Sequence, residues 1–90
     1  MEGKRRMAFI DIGFGNMVAS ERLVCVAGAD SAPIRRLVQD ARDRGALVDC
    51  SSGKKSKAVL VTDSGHIILS SLPPEEISAA LEDLKNEEKK

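Results

Sequence analysis

The segment Ser31 to Gly45, SAPIRRLVQDARDRG, constrains the fold more than any other, because a start signal, a period and a stop signal agree along it. Ile34, Leu37, Val38 and Ala41 recur at i, i+3, i+4 and i+7, which puts one apolar stripe on one face of a helix. Asp30 and Ser31 offer side-chain oxygens to the first turn, and Pro33 fits there because its missing N–H has no intrahelical partner to lose. Arg42 and Arg44 suit the negative end of the helix dipole, and Gly45 can take the left-handed conformation that closes a helix.

The polar side of this helix raises the first functional question. Arg36, Asp40 and Arg44 stand four apart in turn, the spacing of an ion-pair ladder. Arg35 and Arg42 occupy a different stripe, with Val38 and Gln39 between them and no acidic partner on the helix. A charged helix face is ordinarily a solvated one. The sharper alternative is that these two arginines meet an anionic ligand, DNA included, or a neighbouring subunit.

Ninety residues make one domain, near the size at which a single core is marginal. The only aromatic residues are Phe9 and Phe14, so the core must be built from Val, Ile, Leu and Ala, and oligomerisation is a natural supplement. Net charge is zero, but its distribution is not even: residues 1–57 hold eleven Lys and Arg against seven Asp and Glu, and residues 58–90 hold three against seven. Such asymmetry is a mild pointer to nucleic-acid or membrane contact at one end. Cys25 and Cys50 lie in apolar runs and are expected as buried free thiols, with no spacing suited to zinc. With no signal peptide and no apolar run of membrane-spanning length, the expected location is the cytoplasm.

Along the chain, residues 1–7 form a basic arm (Lys4, Arg5, Arg6) expected to be flexible. Phe9 to Ile12 is a strand, and Gly13-Phe14-Gly15-Asn16 is a bend in which Gly13 and Gly15 supply positive φ and Phe14 anchors the turn. A dinucleotide fingerprint is excluded, since Val18 stands where a third glycine belongs and no helix pattern follows. Met17 to Ala27 is a second strand, interrupted near Ala19-Ser20-Glu21 so that Glu21 and Arg22 sit at an exposed corner. After the helix come strands at 46–50, 58–61 and 66–70, the last two joined by the hairpin turn Thr62-Asp63-Ser64-Gly65. A second helix opens at Pro73-Pro74-Glu75-Glu76 and carries Ile77, Ala80, Leu81 and Leu84 on one face, with residues 85–90 as a disordered charged tail. The result is a small α+β domain over residues 8–84, roughly β-β-α-β-β-β-α, with a short-stranded, mostly antiparallel sheet.

No catalytic constellation is present. His66, the only histidine, has no sequence-close partners for a triad or a metal, and Glu75 and Glu76 point in different directions from adjacent helix positions. The expectation is a non-enzyme with no metal, no cofactor, no small-molecule substrate and no membrane association. The best ligand candidate is the turn Ser51 to Lys57, where Lys54, Lys55 and Lys57 can approach a phosphate backbone from an expected hairpin tip. A lysine-rich turn is equally at home on an inert surface. Aromatic rings are scarce, and Phe9 and Phe14 are expected to be buried or bend-forming, which disfavours stacking on single strands, so a nucleic-acid partner would be duplex DNA held by its backbone.

The runs FIDIGFGN (9–16), SAPIRR (31–36), QDARDRG (39–45), GKKSK (53–57) and TDS (62–64) resemble the RemA family of bacterial extracellular-matrix regulatory proteins, in register over residues 8–82. That resemblance implies a DNA-binding transcriptional regulator of matrix and biofilm genes whose subunits form a ring-like homo-oligomer, with DNA held against basic residues repeated around its outside. It implies that Arg22, Lys54 and Lys55 contact DNA, with Lys57 beside them, and that Pro33 fixes the start of the first helix. The family's cluster is often arginine-rich, whereas this one is lysine, which keeps the charge but not the forked geometry. The alternative from another functional class is a protein–protein assembly module whose basic turn docks an acidic partner.

Overall fold

The computed structural model describes residues 8–88. Two helices and six strands follow one another as β1 (Phe9–Gly13), β2 (Asn16–Ala19), β3 (Leu23–Gly28), α1 (Ala32–Arg44), β4 (Leu47–Asp49), β5 (Ala58–Thr62), β6 (Ile67–Ser70) and α2 (Pro74–Glu88). The strands form two sheets: β1 and β2 make an antiparallel hairpin, and the other four lie in the order β3-β5-β6-β4. Pairing in the larger sheet is antiparallel except between β4 and β6, which run parallel. The fold is thus the expected α+β domain, with one strand more than the sequence suggests. The stretch Met17 to Ala27 is two strands in two sheets, because a 3-10 turn at Ser20–Arg22 redirects the chain from β2 into β3.

Side-chain alternation in β5 and β6 organises the layers. Val59, Ile67 and Leu69 face α1 and pack with Ala41, Ile34, Leu37 and Val38. Ala58, Leu60 and Ile68 point the other way, to Ile10 and Ile12 of β1 and Ile77 of α2. The larger sheet is therefore a middle layer, with α1 on one face and the β1–β2 hairpin with α2 on the other. Being buried on both faces, β5 and β6 read as continuous apolar runs. Buried Ser70 ties the layers together: its hydroxyl donates to the Ile12 carbonyl oxygen at 2.8 Å and accepts from the Leu72 N–H at 3.1 Å.

The helix α1 forms with the ends its sequence specifies. Ser31 is the N-cap, its Oγ accepting from the Ile34 N–H at 3.4 Å. At the other end Gly45 has φ +73°, Gly45 N–H donates to the Arg42 carbonyl and Ala46 N–H to the Ala41 carbonyl, the bond pair of a Schellman stop. The expected Arg36–Asp40–Arg44 ladder does not form; the polar bond on this helix joins Gln39 Nε2 to Asp43 Oδ1 at 3.1 Å. Exposed ion pairs gain too little to hold long side chains in one geometry, which is why spacing alone does not secure them. The second helix runs on through Glu88, so residues 85–88 of the expected disordered tail are helical; the basic arm at 1–7 and residues 89–90 lie outside the described residues.

Two further expectations are corrected. Phe9 and Phe14 are both more than half exposed, and Cys25 is exposed on β3 while Cys50 is half-buried. Strand parity explains Phe9, and the edge position of β3 explains Cys25. Ile10 and Ile12 take the inner face of β1 and leave Phe9 outside, and β3 is an edge strand with no neighbour beyond it among the described residues. Phe14 stands at φ +54° in the two-residue turn with Gly15 at φ +77°, both left-handed as a tight hairpin requires, so its ring is carried outward and anchors nothing.

Candidate functional site

The lysine segment is not a hairpin tip. Strands β4 and β5 are not neighbours, so residues 50–57 cross the end of β6 to connect them. The crossing is braced from beneath. Asp49 Oδ1 accepts from the Ser51 N–H at 2.9 Å and from the Ser51 hydroxyl at 2.6 Å, and Ser51 is buried. Ser51 carbonyl then accepts from the Lys54 N–H at 3.0 Å across Ser52 and Gly53, which have φ +54° and +80°. Beyond the turn, Lys57 N–H donates to the Ser70 carbonyl and Lys57 carbonyl accepts from the Ala29 N–H, seating the segment between β6 and the end of β3. The backbone is fixed and the side chains of Lys54, Lys55 and Lys57 are exposed.

The Asp49 carboxyl is held below its ordinary range, first by the Ser51 hydroxyl, then by the Ser51 amide, with a further contribution from the Arg42 guanidinium. The adjoining Cys50 thiol is pushed the other way by burial and by the Asp49 charge, which disfavours a reactive thiolate.

Arg35 and Arg42 are brought to the same place as the turn. Together with Lys55 they line one cavity between α1 and the crossing segment, whose floor is Val38, Val59 and Leu69. Lys57 lies with Lys55 in a second groove that also includes Pro74 and Glu75. Four of the sequence-predicted cations outside Arg22 and Lys54 thus share one side of the molecule, linked through Lys55. Lys54 joins them through the turn it closes.

Arg22 does not join this group. It sits at the opposite end of the β3–β5 ladder, where Leu23 faces Thr62, whereas Lys57 adjoins the end at which Gly28 faces Ala58. Five strand steps separate the two ends, about 17 Å. There Arg22 Nε donates to Asp63 Oδ1 at 2.9 Å, and Arg22 carbonyl accepts from the Asp63 N–H at the same distance. Among the described residues this is the one ion pair within 4.0 Å, and both side chains are half exposed. Gly13, Gly15 and Gly45 all have positive φ, and Pro33 lies in the first turn of α1. His66 is engaged locally, its Nδ1 2.8 Å from the Ser64 hydroxyl.

Sequence reasoning missed three residues of this framework. Asp49 and Ser51 were detectable, since an aspartate two residues before a serine is the local pattern of an Asx turn. Asp63 was not, because its partner lies 41 residues away. No group of His, Cys, Asp and Glu with the arrangement of a metal site occurs among the described residues, and no helix of theirs is long and apolar enough to cross a membrane.

Comparison with known proteins agrees with the quoted motifs. The RemA-like family, described as extracellular matrix regulatory protein A-like, matches residues 9–81. Three relatives carry the name "Putative regulatory protein". One from Dictyoglomus turgidum is 54% identical over 82 residues, covering 91% of this chain and 96% of the relative. One from Synechococcus elongatus is 54% identical over 74 residues, covering 82% and 85%. One from Geobacillus thermodenitrificans is 51% identical over 75 residues, covering 83% and 86%. The match spans both sheets, α1 and the lysine turn, and the chain belongs to the RemA-like family.

Proposed function

We propose that this protein is an oligomeric DNA-binding transcriptional regulator that holds duplex DNA by its backbone, and that its target genes belong to extracellular-matrix control, as the family name suggests, and with it to biofilm formation. The observation that carries the reading is the turn itself. Its backbone is pinned by Asp49, Ser51 and Ser70, while Lys54, Lys55 and Lys57 are exposed and, among the described residues, form no ion pair. Unneutralised cations on a fixed frame suit phosphate contact, because each phosphate bound releases counterions without first breaking an internal salt bridge.

Assembly is supported by what the single chain leaves uncovered. Phe9 and Met17 are diagonal neighbours on the outer face of the β1–β2 hairpin, 57% and 63% exposed, with Phe14 at its tip 54% exposed. Val24 is 66% exposed on β3, an edge strand of six residues whose outer N–H and C=O groups have no strand partner among the described residues. Apolar surface of this kind on so small a domain fits contact between copies. A ring repeats the lysine turn once per subunit, so weak phosphate contacts add through effective concentration and the neutral charge of one chain ceases to matter.

Light scattering should give a mass several times 9.7 kDa. On the same sample, duplex affinity should fall steeply between 50 and 200 mM salt, and the Lys54→Ala/Lys55→Ala variant should lose affinity at every sequence tested, with a shallower salt slope by about two per engaged subunit. Duplex binding by that variant equal to the parent's would overturn the assignment.

A further inference from the structure

The cavity between α1 and the crossing segment differs from the rest of the basic surface in composition. It is an open cleft of about 420 Å³, within the range of small-molecule sites. Its apolar base is half-buried Val38 on the helix, with Val59 and Leu69 of the sheet closed off beneath. Its walls carry Arg35 and Arg42, one helical stripe on either side of Val38 and Gln39, facing Lys55 of the turn. One carboxylate, Asp30, also lines it.

We propose that this cavity binds a small phosphomonoester with an apolar body, the nucleoside monophosphate class. Three cations against one carboxylate leave two positive charges. That matches a phosphomonoester, which carries about −1.5 to −2 at neutral pH, better than the single charge of each phosphodiester in a duplex. The cations facing α1's side are arginines, in contrast to the all-lysine turn, and the guanidinium fork suits a phosphate held in one geometry. Half-buried Val38 and the aliphatic stems of the two arginines give a base or similar ring an apolar surface, and Asp30 accepts from a hydroxyl or amino group on the ligand. Lys55 belongs both to this cavity and to the turn, so an occupied cavity withdraws Lys55 from DNA. That competition, though not the site, rests on the DNA-binding reading above.

The test is an amide NMR titration of the full chain with adenosine 5′-monophosphate, with adenosine and with inorganic phosphate. The monophosphate should shift Ala29, Gln39 and Leu69 and saturate; adenosine should shift none of them, and phosphate should bind at least about tenfold more weakly than the monophosphate. The Arg35→Ala/Arg42→Ala variant removes two exposed side chains and no core contact, and should lose about tenfold or more in monophosphate affinity. The Lys54→Ala/Lys57→Ala variant should keep that affinity while losing duplex binding. No shift from the monophosphate, equal binding by phosphate or by adenosine, or parental affinity in the double arginine variant would each overturn the site. If the parent ignores the monophosphate while the arginine variant loses duplex affinity, the arginines serve DNA and this proposal fails alone. If Lys54→Ala/Lys57→Ala keeps its duplex affinity while the monophosphate still binds, the DNA reading fails and the site stands.

Discussion

The two ends of the β3–β5 ladder hold their cations in opposite ways. At one end the charge itself is held by a partner: Arg22 is paired with Asp63 through its side chain and again through its carbonyl. At the other the backbone is fixed and the charges are loose, since Asp49, Ser51 and Ser70 secure the turn while Lys54, Lys55 and Lys57 reach into solvent. The difference teaches that a basic residue can be positioned without being neutralised only when something other than a carboxylate partner does the positioning. The lysine end contributes net positive field, and the arginine end contributes a forked group of known direction and little net charge.

If that contrast is correct, the lysine end should depend on buried polar groups, and the largest effect should come from Ser70. Ser70→Ala leaves the buried Ile12 carbonyl without its donor and the Leu72 N–H without its acceptor. A loss of about 1–3 kcal/mol is expected, read from the urea midpoint. An unchanged midpoint would mean that water replaces the hydroxyl and that the layers are not held there. Next comes Asp49→Ala, which removes two bonds to Ser51 at a more exposed site, with an expected cost of about 1 kcal/mol.

The Asp49 effect also carries a pH signature. Its carboxyl is held lower in the folded chain than in the unfolded one, so its contribution is fully present above the unfolded value, near 4 for an aspartate, and is lost as pH falls through the folded value. Thermal midpoints measured from neutral to acid pH should therefore fall less steeply in Asp49→Ala than in the parent below about pH 4. Parallel curves would show that Ser51 braces the turn without help from the charge.

How much of this was legible in the residues follows from how local each feature is. The helix α1 could be read to its caps because Ser31, Pro33 and Gly45 act within one turn of themselves. The β1–β2 bend could be read from Gly13 and Gly15, but not the outward course of Phe14, since hydrophobicity argues for burial and only the turn's φ angles send the ring outside. The lysine turn was visible as a ligand candidate, yet its form was misjudged. Nothing in the sequence says that β4 pairs parallel with β6 rather than antiparallel with β5. The meeting of Arg35 and Arg42 with Lys55 follows from that same crossover. The helix stripe was readable, and what it faces was not.

The smallest effect, and the sharpest test of the contrast, belongs to Arg22. Its ion pair is half exposed on both sides, where such pairs contribute about 0.2–1 kcal/mol, and the bond from Asp63 N–H to the Arg22 carbonyl survives any side-chain change. Arg22→Ala should therefore move the urea midpoint barely at all while reducing the salt slope of duplex binding by about one per engaged subunit. Asp63→Ala separates the two ways of holding a cation. It removes a negative charge beside the arginine, which favours phosphate, but also the partner that aims the guanidinium. If charge dominates, duplex affinity rises a few-fold; if aim dominates, it falls toward that of Arg22→Ala. Because a guanidinium contacts phosphate usefully only in a defined orientation, the expected result is a fall. A rise would mean that Arg22 behaves like the lysines, and the contrast between the two ends would be one of wording only.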